Sequence, residues 1–428
     1  MLPLESELRG KLEHLPYSPE AAHLIAQQIT ENRQLAEQNL SGAKYAAFYS
    51  LTSQAMDLAP PELIIGSPFG HAEDYGSGIF EGGSAMVNER TGIPNIVLHE
   101  QRLDRLFNRS LPARGYAPRV SREQFGQAML TTVAVHGLEI FRNPDTDGRG
   151  PWVRAYIRPS VHPKPLSGYG VSLRPNYPIE AVVITFTWPD YLDPKMYTDG
   201  GIAAIFGYQR AQPITGKHAS NYGPSSIEGK EARELGADEL VYLAPYLVDS
   251  DGSRFWADPN DLDLKFQRGT LADGPGEEVF AIKKDMRTFV YPPMRVNRLG
   301  GTVLDYVVRF MAPRLGLETQ EADVTLADLR EGKYAAVGMI GNAVRIAPIA
   351  ELRFFREKTH VDSLELFNKG NIPEPMIRLR DRWNDEITGR IDASHASLLT
   401  PVDAEAGLRM REALDLRYYH QPPLPLGI

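Results

Sequence analysis

The sequence lacks cysteine, long apolar runs and long basic runs. Without cysteine among 428 residues, the chain cannot form disulfides, thiol nucleophiles or cysteine-ligated zinc and iron–sulfur sites. No apolar stretch reaches the ~20 residues that a membrane helix needs, so we expect no membrane association. The electrostatic signature of a nucleic-acid-binding protein is missing. The N-terminal residues show no basic segment followed by an apolar run, so we expect no signal peptide and a cytoplasmic location.

The remaining composition is that of a globular protein of two domains or slightly more. Hydrophobic residues make up 42 %, charged residues 24 %, and the formal net charge is −9. We expect an N-terminal helical extension over 1–56, a small α/β domain over 57–190 and an interdomain linker over 191–196. A larger β-rich domain follows over 197–355, and a C-terminal helix with an extended tail occupies 356–428.

Hydrophobic periodicity and end signals predict an alternation of strands and helices after a helical first segment over 1–55. The predicted helices are Arg102–Arg109, Arg122–His136, Ser225–Leu235, Val303–Leu315 and Pro375–Thr388. The predicted strands are Asn95–His99, Trp152–Ile157, Ala181–Trp188, Glu239–Leu243 and Val279–Ile282.

Two glycine-rich patterns resemble nucleotide-binding loops but fail on spacing. Gly76-Ser77-Gly78 begins like a dinucleotide fingerprint, yet Glu81 stands where its third glycine belongs. Gly216-Lys217 resembles the end of a P-loop, but His218 follows the lysine where a hydroxyl residue is required. The acidic and histidine residues at 71–74 suit no standard metal site, so we expect no metal.

Seven short motifs follow one another along the chain. They are Tyr75-Gly76-Ser77-Gly78-Ile79-Phe80-Glu81-Gly82, Arg102-Leu103-Asp104-Arg105-Leu106, Tyr156-Ile157-Arg158-Pro159, Lys217 with Asn221-Tyr222, Asp273-Gly274-Pro275-Gly276-Glu277-Glu278-Val279-Phe280, Gly301-Thr302 and Gly341-Asn342-Ala343. Each motif is weak alone, but the ordered set, covering roughly residues 70–390, is specific. It resembles the branched-chain aminotransferases, a branch of the class IV (fold type IV) pyridoxal-phosphate enzymes.

The resemblance implies a two-domain α+β or α/β fold and a transaminase with pyridoxal 5'-phosphate on Lys217. A lysine amine forms the Schiff base that this cofactor needs. The implied reaction moves an amino group between an L-amino acid, branched-chain or a related hydrophobic one, and a 2-oxo acid. The resemblance also implies a homodimer, in which the loop around His71–Tyr75 helps to close the partner's pocket.

The resemblance further assigns roles to individual residues. Asp273 would keep the pyridine nitrogen protonated, Tyr222 would donate to the cofactor's phenolic oxygen, and Arg105 would bind its phosphate. The remaining cofactor residues are Gly301 and Thr302, whose backbone amides precede a helix, and Asn342. The substrate residues are Tyr156 and Arg158 for the carboxylate, Phe80, Trp188 and Tyr191 for the apolar wall of the side-chain pocket, and Tyr75, Gly82 and Ala343.

The chain departs from the family at several of these positions. Asp273 stands where the family commonly has glutamate, a side chain longer by about 1.5 Å, and Glu277-Glu278 replaces the usual Met-Asn. Asn342 stands where threonine is frequent. The connection over 244–270 is about twice the usual length; it could adjust Asp273, cover the site or contact another subunit.

These departures keep other functions open. The same scaffold supports a D-amino-acid transaminase and a lyase acting on aminodeoxychorismate, although Tyr-Ile-Arg-Pro and the Asn-Tyr-x-Pro-Ser form favour the branched-chain branch. A homologue without catalysis, serving as a binding subunit, is the alternative of another class. Intact Lys217, Tyr222 and Arg105 argue against it.

Overall fold

A computed structural model describes residues 19–39, 42–50, 54–64, 72, 75–143, 152–163, 179–188, 190–210, 216–249, 251–256 and 258–420. The chain divides into two compact units. Unit 1 comprises Met1–Pro189 with Leu399–Ile428, and unit 2 comprises Asp190–Leu398.

Unit 1 contains an antiparallel sheet with helices. Its described strands are β1 (Ala46–Ser50), β2 (Ala55–Ala59), β3 (Ile79–Phe80), β4 (Gly83–Val87), β5 (Pro94–Val97), β6 (Ala155–Pro163), β7 (Ile179–Thr187) and β19 (Leu399–Pro401). Its described helices longer than three residues are α1 (Pro19–Asn39), α2 (residues 99–113, with a π-helical stretch at Leu106–Ser110), α3 (Arg122–Ala134) and α10 (residues 404–420). The described strands run in the order β19-β5-β4-β6-β7-β1-β2, and β3 pairs with β6.

The period of two along β6 and β7 separates a core face from a second face that carries the predicted substrate residues. Ala155, Ile157 and Val161 lie in the hydrophobic core of unit 1. Tyr156 and Arg158 alternate with them and therefore point to the opposite face. Phe186 of β7 lies on the same face as Tyr156, because the two residues are directly paired across the strands.

Helix α3 covers the core face and begins at a capping box. The Ser121 hydroxyl accepts from the Gln124 backbone N–H, and the Gln124 side chain accepts from that of Ser121. Such reciprocal caps satisfy two of the donors that a helix N-terminus leaves unpaired. The helix then buries Phe125, Met129 and Val133.

The chain returns to unit 1 at its C-terminal end. β19 extends the sheet by pairing with β5, with Leu399 opposite Val97. Helix α10 then packs on α3 so closely that a Cβ at Gly407 would lie 2.2 Å from the Ala134 carbonyl oxygen. Glycine is therefore required there by backbone-to-backbone contact.

The first segment differs from its prediction as a helical region over 1–55. Helix α1 ends at Asn39, and β1 starts at Ala46. The strand forms because its register against β7 pairs Ala46 with Ile184 and Phe48 with Val182. Sheet pairing thus overrides a local composition that favours helix.

Unit 2 contains two described sheets and several helices. The larger sheet has the order β15-β14-β13-β16-β17-β8-β9, with β18 paired to β17, and the smaller one has the order β11-β10-β12. The strands are β8 (Gly201–Ile205), β9 (Glu239–Leu240), β10 (Leu243–Val248), β11 (Arg254–Trp256), β12 (Gly269–Leu271), β13 (Glu278–Lys283), β14 (Thr288–Tyr291), β15 (Glu318–Glu321), β16 (Tyr334–Gly341), β17 (Arg345–Arg356) and β18 (Thr359–Glu365). The helices longer than three residues are α4 (Pro194–Asp199), α5 (Tyr222–Glu234), α6 (Leu262–Arg268), α7 (residues 302–314, π-helical at Val307–Met311), α8 (Leu326–Arg330) and α9 (Glu374–Ile387).

The central strands of the large sheet are buried along their length. β13 and β16 pair over six residues, with Val279 opposite Met339, and both side chains lie in the core of unit 2. The resulting rigid pair fixes the start of β13 at Glu278. The acidic segment 273–278 therefore leads directly into a central strand.

The described residues of the long connection over 244–270 form strands and a helix within unit 2. β10 pairs with β11 and β12, and α6 follows the Asp261 cap, which accepts from the Leu264 N–H at 3.0 Å. Trp256 at the end of β11 is 79 % exposed. The connection leads through β12 to Asp273, whose carbonyl oxygen accepts from the Tyr242 N–H at 2.8 Å.

The domain boundaries drawn from the sequence stay a prediction. The structure divides into two units at a different set of boundaries. The break between the units falls at Asp190, and residues 194–199, which overlap the expected linker, belong to helix α4. Residues 356–398 lie in unit 2, whereas 399–420 lie in unit 1. Within the described residues, no helix is long and apolar enough to cross a membrane.

Candidate active site

Lys217 and Tyr222 form a pair in unit 2, in which Lys217 is buried and Tyr222 half-buried. A 3₁₀ turn over Ala219–Asn221 leads into α5 at Tyr222, so the five-residue spacing folds the two side chains together. The Lys217 ammonium donates to the Tyr222 hydroxyl and lies 4.6 Å from the centre of its ring. Lys217 is only 8 % exposed. Surface lysines are usually solvated and mobile. A lysine that is buried and held in one position, as Lys217 is, suits covalent chemistry better.

Arg210 connects this pair to Asp273. Its guanidinium donates to Asp273 Oδ2 at 2.8 Å and to the carbonyl oxygens of Gly274 and Pro275 at 2.5 and 3.1 Å. The same guanidinium lies 5.3 Å from the Tyr222 ring centre. Lys217, Arg210 and Asp273, which are buried, and the half-buried Tyr222 therefore form one continuous group of side chains.

Asp273 is fully buried and has one oxygen that remains available. Burial raises the pKa of its carboxyl group to about 7, although the neighbouring Arg210 opposes this shift. Oδ2 accepts from Arg210 and from the Leu299 N–H. Among the described residues, no group donates to Oδ1. A buried oxygen without a donor is costly, and a protonated ring nitrogen would both satisfy it and keep the carboxylate ionised.

The acidic segment 273–278 packs against both turns that the sequence predicts as phosphate binders. A Cβ at Gly301 would lie 1.9 Å from Glu278 Oε2, and a Cβ at Gly341 would lie 3.1 Å from the Glu277 Cβ. Gly301 is the residue before α7, where backbone amides favour an anion. The structure thus brings Asp273, Gly301, Thr302 and the 341–343 turn into one region of unit 2.

Two further buried carboxylates, Glu277 and Glu239, lie close to each other beside this region. Burial and the nearby Glu239 raise the pKa of Glu277 well above its ordinary value, and burial raises that of Glu239. Tyr191, which the sequence predicts in the apolar wall, donates its hydroxyl to Glu239 at 3.0 Å. Burial and the adjacent carboxylates raise the pKa of Tyr191 too. Tyr191 therefore makes a polar contact with Glu239, in addition to the apolar role that the sequence predicts for its ring.

In unit 1, Arg105 is ion-paired with Glu81. The guanidinium donates to both carboxylate oxygens, at 2.9 and 2.6 Å, and both side chains are buried. Arg102, one turn earlier on the same face of α2, donates to the carbonyl oxygens of Val97 and Gly82. Burial and the neighbouring Arg105 lower the pKa of Arg102 to about 10. The predicted phosphate-binding arginine thus lies beside the Phe80-Glu81-Gly82 motif; its own phosphate role stays a prediction.

The predicted substrate residues of unit 1 gather on one face of β6 and β7. Arg158 donates to the Tyr156 hydroxyl at 3.3 Å and lies 4.7 Å from the Phe80 ring centre. Tyr156 also packs edge-on against Trp188, with ring centres 4.5 Å apart. A Cβ at Gly82 would lie 2.4 Å from the Tyr156 hydroxyl oxygen, so only glycine leaves room for that hydroxyl.

The structure describes only part of the expected dimer loop. Tyr75 is 39 % exposed, whereas His71, Glu73 and Asp74 lie outside the described residues. Among the described residues, no cluster of three or more metal-ligating side chains occurs.

The sequence did not reveal two residues of the candidate site in unit 2, Arg210 and Arg298. Arg210 stands apart from every motif, and no local signal marks it as the partner of Asp273, 63 positions away. Arg298, the buried partner of Glu278, has no local signal in the sequence either. Arg102 was included only within a motif, although its spacing of three from Arg105 places both on one helix face.

Comparison with known proteins is consistent with this geometry. No family model matches the chain. The branched-chain-amino-acid aminotransferase of Salmonella typhimurium is 26 % identical over 287 residues, covering 65 % of this chain and 77 % of that protein. The enzyme of Escherichia coli K12 matches with the same identity and coverage.

Solved structures of similar enzymes share the fold. The Escherichia coli branched-chain amino acid aminotransferase superposes with a TM-score of 0.62 at 21 % identity, over 83 % of this chain and 98 % of that one. The Thermobaculum terrenum enzyme of the same name, in its PLP form, superposes with a TM-score of 0.61 at 20 % identity, over 84 % and 98 %. The fold expected from the sequence is confirmed: the chain has the fold type IV architecture of these enzymes.

Proposed function

We propose that this protein is a pyridoxal-phosphate-dependent aminotransferase acting on an L-amino acid with a branched or related hydrophobic side chain. The observation that carries the proposal is the continuous group formed by Lys217, Tyr222, Arg210 and Asp273, in which one oxygen of the buried Asp273 lacks a described donor. The similarity to enzymes named branched-chain-amino-acid aminotransferases supports the same activity. One similar enzyme was solved with N-(5'-phosphopyridoxyl)-L-glutamate, which supports the cofactor.

The residues present suit this cofactor. Lys217 would hold it covalently, Asp273 Oδ1 would accept from its ring nitrogen, and Tyr222 would donate to its phenolic oxygen. Gly301, Thr302 and Asn342 would supply donors to its phosphate; the role of Arg105 as a phosphate-binding cation stays a prediction from the resemblance. When bound, the cofactor supplies an electron-withdrawing ring that stabilises negative charge on the substrate α-carbon.

The protein's own groups would perform the proton chemistry. The Lys217 amine would remove the α-proton of the amino acid once it is released from its covalent role, and the Tyr222 hydroxyl is placed to hold that amine in position. Arg210 would keep Asp273 ionised, since an adjacent cation favours the charged form of a carboxylate. Asp273 in turn would hold the proton on the ring nitrogen.

On the substrate side, we propose that Tyr156 and Arg158 bind the α-carboxylate. A guanidinium offers paired donors to a carboxylate, and Arg158 is held between the Phe80 and Tyr156 rings. The family resemblance also assigns Phe80, Trp188 and Tyr191 to the apolar side chain and Tyr75, Gly82 and Ala343 to the substrate, and we keep these roles as proposals.

We also propose that the active form is a cytoplasmic homodimer, because an isologous two-fold contact is the commonest oligomer and the family resemblance implies a shared site. Light scattering over the concentration range of the assay measures this. A monomer that stays fully active at high dilution contradicts the dimer while leaving the chemistry of Lys217 intact.

The experiment that tests the function combines a substrate panel with one variant. The holoenzyme should form 2-oxo acids from L-leucine, L-valine and L-isoleucine faster than from their D-enantiomers. Lys217→Ala should abolish both this activity and the absorbance of lysine-bound cofactor. Lys230→Ala is the matched control, because Lys230 is 69 % exposed on neighbouring α5.

The outcomes separate the alternatives. A preference for D-amino acids would identify a D-amino-acid transaminase, and pyruvate release from aminodeoxychorismate would identify the lyase. A protein that binds no cofactor would be the binding subunit. Retention of normal activity by Lys217→Ala would disprove the proposal.

A further inference from the structure

Glu278 places an additional negative charge at the centre of the candidate site. It is the first residue of β13, is 3 % exposed, and its Oε2 lies directly beside Gly301. Asp273 is near enough that the Glu278 charge adds to the rise in its pKa, after the larger effects of burial and Arg210. A buried carboxylate at this point requires a compensating cation.

Arg298 is that cation. Its guanidinium donates to Glu278 Oε1 and to the Pro292 carbonyl oxygen at 2.6 Å. The Arg298 side chain is 8 % exposed and that of Glu278 4 %. The second contact, to a carbonyl six residues earlier in the chain, ties Arg298 to its own loop.

Three consecutive residues of this loop contact three different members of the candidate site. The Asn297 side chain, at a left-handed backbone position (φ 77°), donates to the Arg210 carbonyl oxygen at 2.9 Å. Arg298 pairs with Glu278, and the Leu299 N–H donates to Asp273 Oδ2 at 3.3 Å. The loop therefore reaches Asp273 directly through Leu299 and indirectly through Arg210.

We propose that Arg298 is a positioning residue for Asp273. Arg298 neutralises Glu278 and thereby keeps the 297–299 loop in contact with the Asp273 carboxylate, which would face the cofactor. The Glu278–Arg298 pair thus balances charge at a point where a lone glutamate would repel Asp273. This inference rests on the proposed function, because it concerns the residue that would hold the ring nitrogen.

A set of charge variants tests it. Arg298→Met removes the cation at similar length, Glu278→Gln removes the carboxylate charge, and the double variant removes both. Arg295→Met is the matched control, since Arg295 is 45 % exposed and pairs with Asp323. The measurements are the unfolding temperature of the cofactor-free protein, the dissociation constant for pyridoxal phosphate, and the pH at which the absorbance of bound cofactor changes.

We expect Arg298→Met to lower the unfolding temperature by about 5 °C or more, because an uncompensated buried charge remains. It should bind pyridoxal phosphate about tenfold more weakly or worse, and the absorbance transition should move to higher pH, since unpaired negative charge favours protonated forms. The double variant should recover most of both losses, and Arg295→Met should resemble the wild type.

Two results would overturn the proposal. One is an Arg298→Met protein with unchanged cofactor affinity and unchanged absorbance transition. The other is a double variant as impaired as Arg298→Met, which would assign Arg298 to loop packing instead of charge balance. Wild-type protein that never develops the absorbance of lysine-bound cofactor would instead contradict the proposed function itself, and the unfolding data would still report on the ion pair.

Discussion

Arg210 donates to Asp273 across 2.8 Å, although the two residues lie 63 positions apart in the chain. Both side chains are at most 2 % exposed. The pair links the Lys217–Tyr222 contact to the acidic segment that packs on Gly301 and Gly341. Its burial makes the site sensitive to the loss of a single charge, because neither partner can be solvated when the other is removed.

Removing the cation of this pair should destabilise the protein strongly. Arg210→Met leaves Asp273 buried without its partner, and breaking such a pair costs about 3–5 kcal/mol of unfolding free energy. Urea unfolding of the cofactor-free protein measures this. Arg309→Met, which breaks the exposed i,i+4 pair with Asp305, should cost less than about 1 kcal/mol. Equal losses in the two variants would contradict the importance of burial.

Removing the carboxylate should impair both catalysis and stability, because Arg210 then lies buried without its charged partner. Asp273→Asn keeps the shape of the side chain but cannot hold a proton on the ring nitrogen, so kcat/KM should fall on the order of 10²-fold or more, corresponding to several kcal/mol. Asp273→Glu should retain substantial activity, since it restores the residue common in the family. Its extra methylene in a buried segment should cost about 1–3 kcal/mol of stability.

Steady-state kinetics and unfolding curves on the same preparations distinguish these effects. A fully active Asp273→Asn enzyme would move the role to another carboxylate, with Glu277 as the next candidate. Glu277 is buried beside Asp273, and the Asp273 charge is among the causes of its raised pKa.

The stability of the protein should depend on the titration of His136. This side chain accepts from the Lys44 and Tyr45 N–H groups at 2.8 and 3.2 Å, and burial lowers its pKa from 6.5 to about 4. Between these two pH values His136 is protonated in the unfolded chain but neutral in the folded chain. The contribution of His136 is therefore complete above pH 6.5 and decreases as the pH falls towards 4, by about 3 kcal/mol.

The variant His136→Gln isolates this effect, because glutamine keeps a donor and an acceptor but does not titrate. The difference in unfolding free energy between wild type and variant should shrink as the pH is lowered from about 7 to about 4.5. Asp273 titrates with the opposite sign, since its folded pKa is raised, and it cancels in the difference. A difference that is constant with pH would contradict the assignment.

The C-terminal helix should depend on Gly407. On helix propensity alone, Gly→Ala stabilises by about 1 kcal/mol. Here the new Cβ would lie 2.2 Å from backbone atoms of Ala134, which cannot move as a flexible side chain would. We expect Gly407→Ala to lower the unfolding temperature and to increase proteolytic cleavage near residues 399–420. Arg409→Ala, at a residue 70 % exposed on the same helix, should change neither; a stabilised Gly407→Ala protein would show that α10 is not packed in this way.

The sequence by itself determined the order of the motifs, which carries the family resemblance and with it the expected fold type. It also determined the local pair of Lys217 and Tyr222. The motifs depend on short-range rules: a spacing of five residues at a helix start, a period of two along β6, and the glycines that precede α7 and end β16. Such patterns are visible without coordinates, because the partners lie within a few residues of each other.

Only the tertiary structure decided which charges meet. Arg210 and Asp273, Arg298 and Glu278, and Arg105 and Glu81 are separated by 63, 20 and 24 residues, and no local rule pairs them. The tertiary structure also decided that β1, predicted to be helical, pairs with β7 as a strand. It likewise decided that α10 packs on α3 at Gly407. Pairings of this kind depend on burial: a charge removed from water must find its counter-charge wherever the fold brings one, and the two halves of that contact lie far apart in the chain.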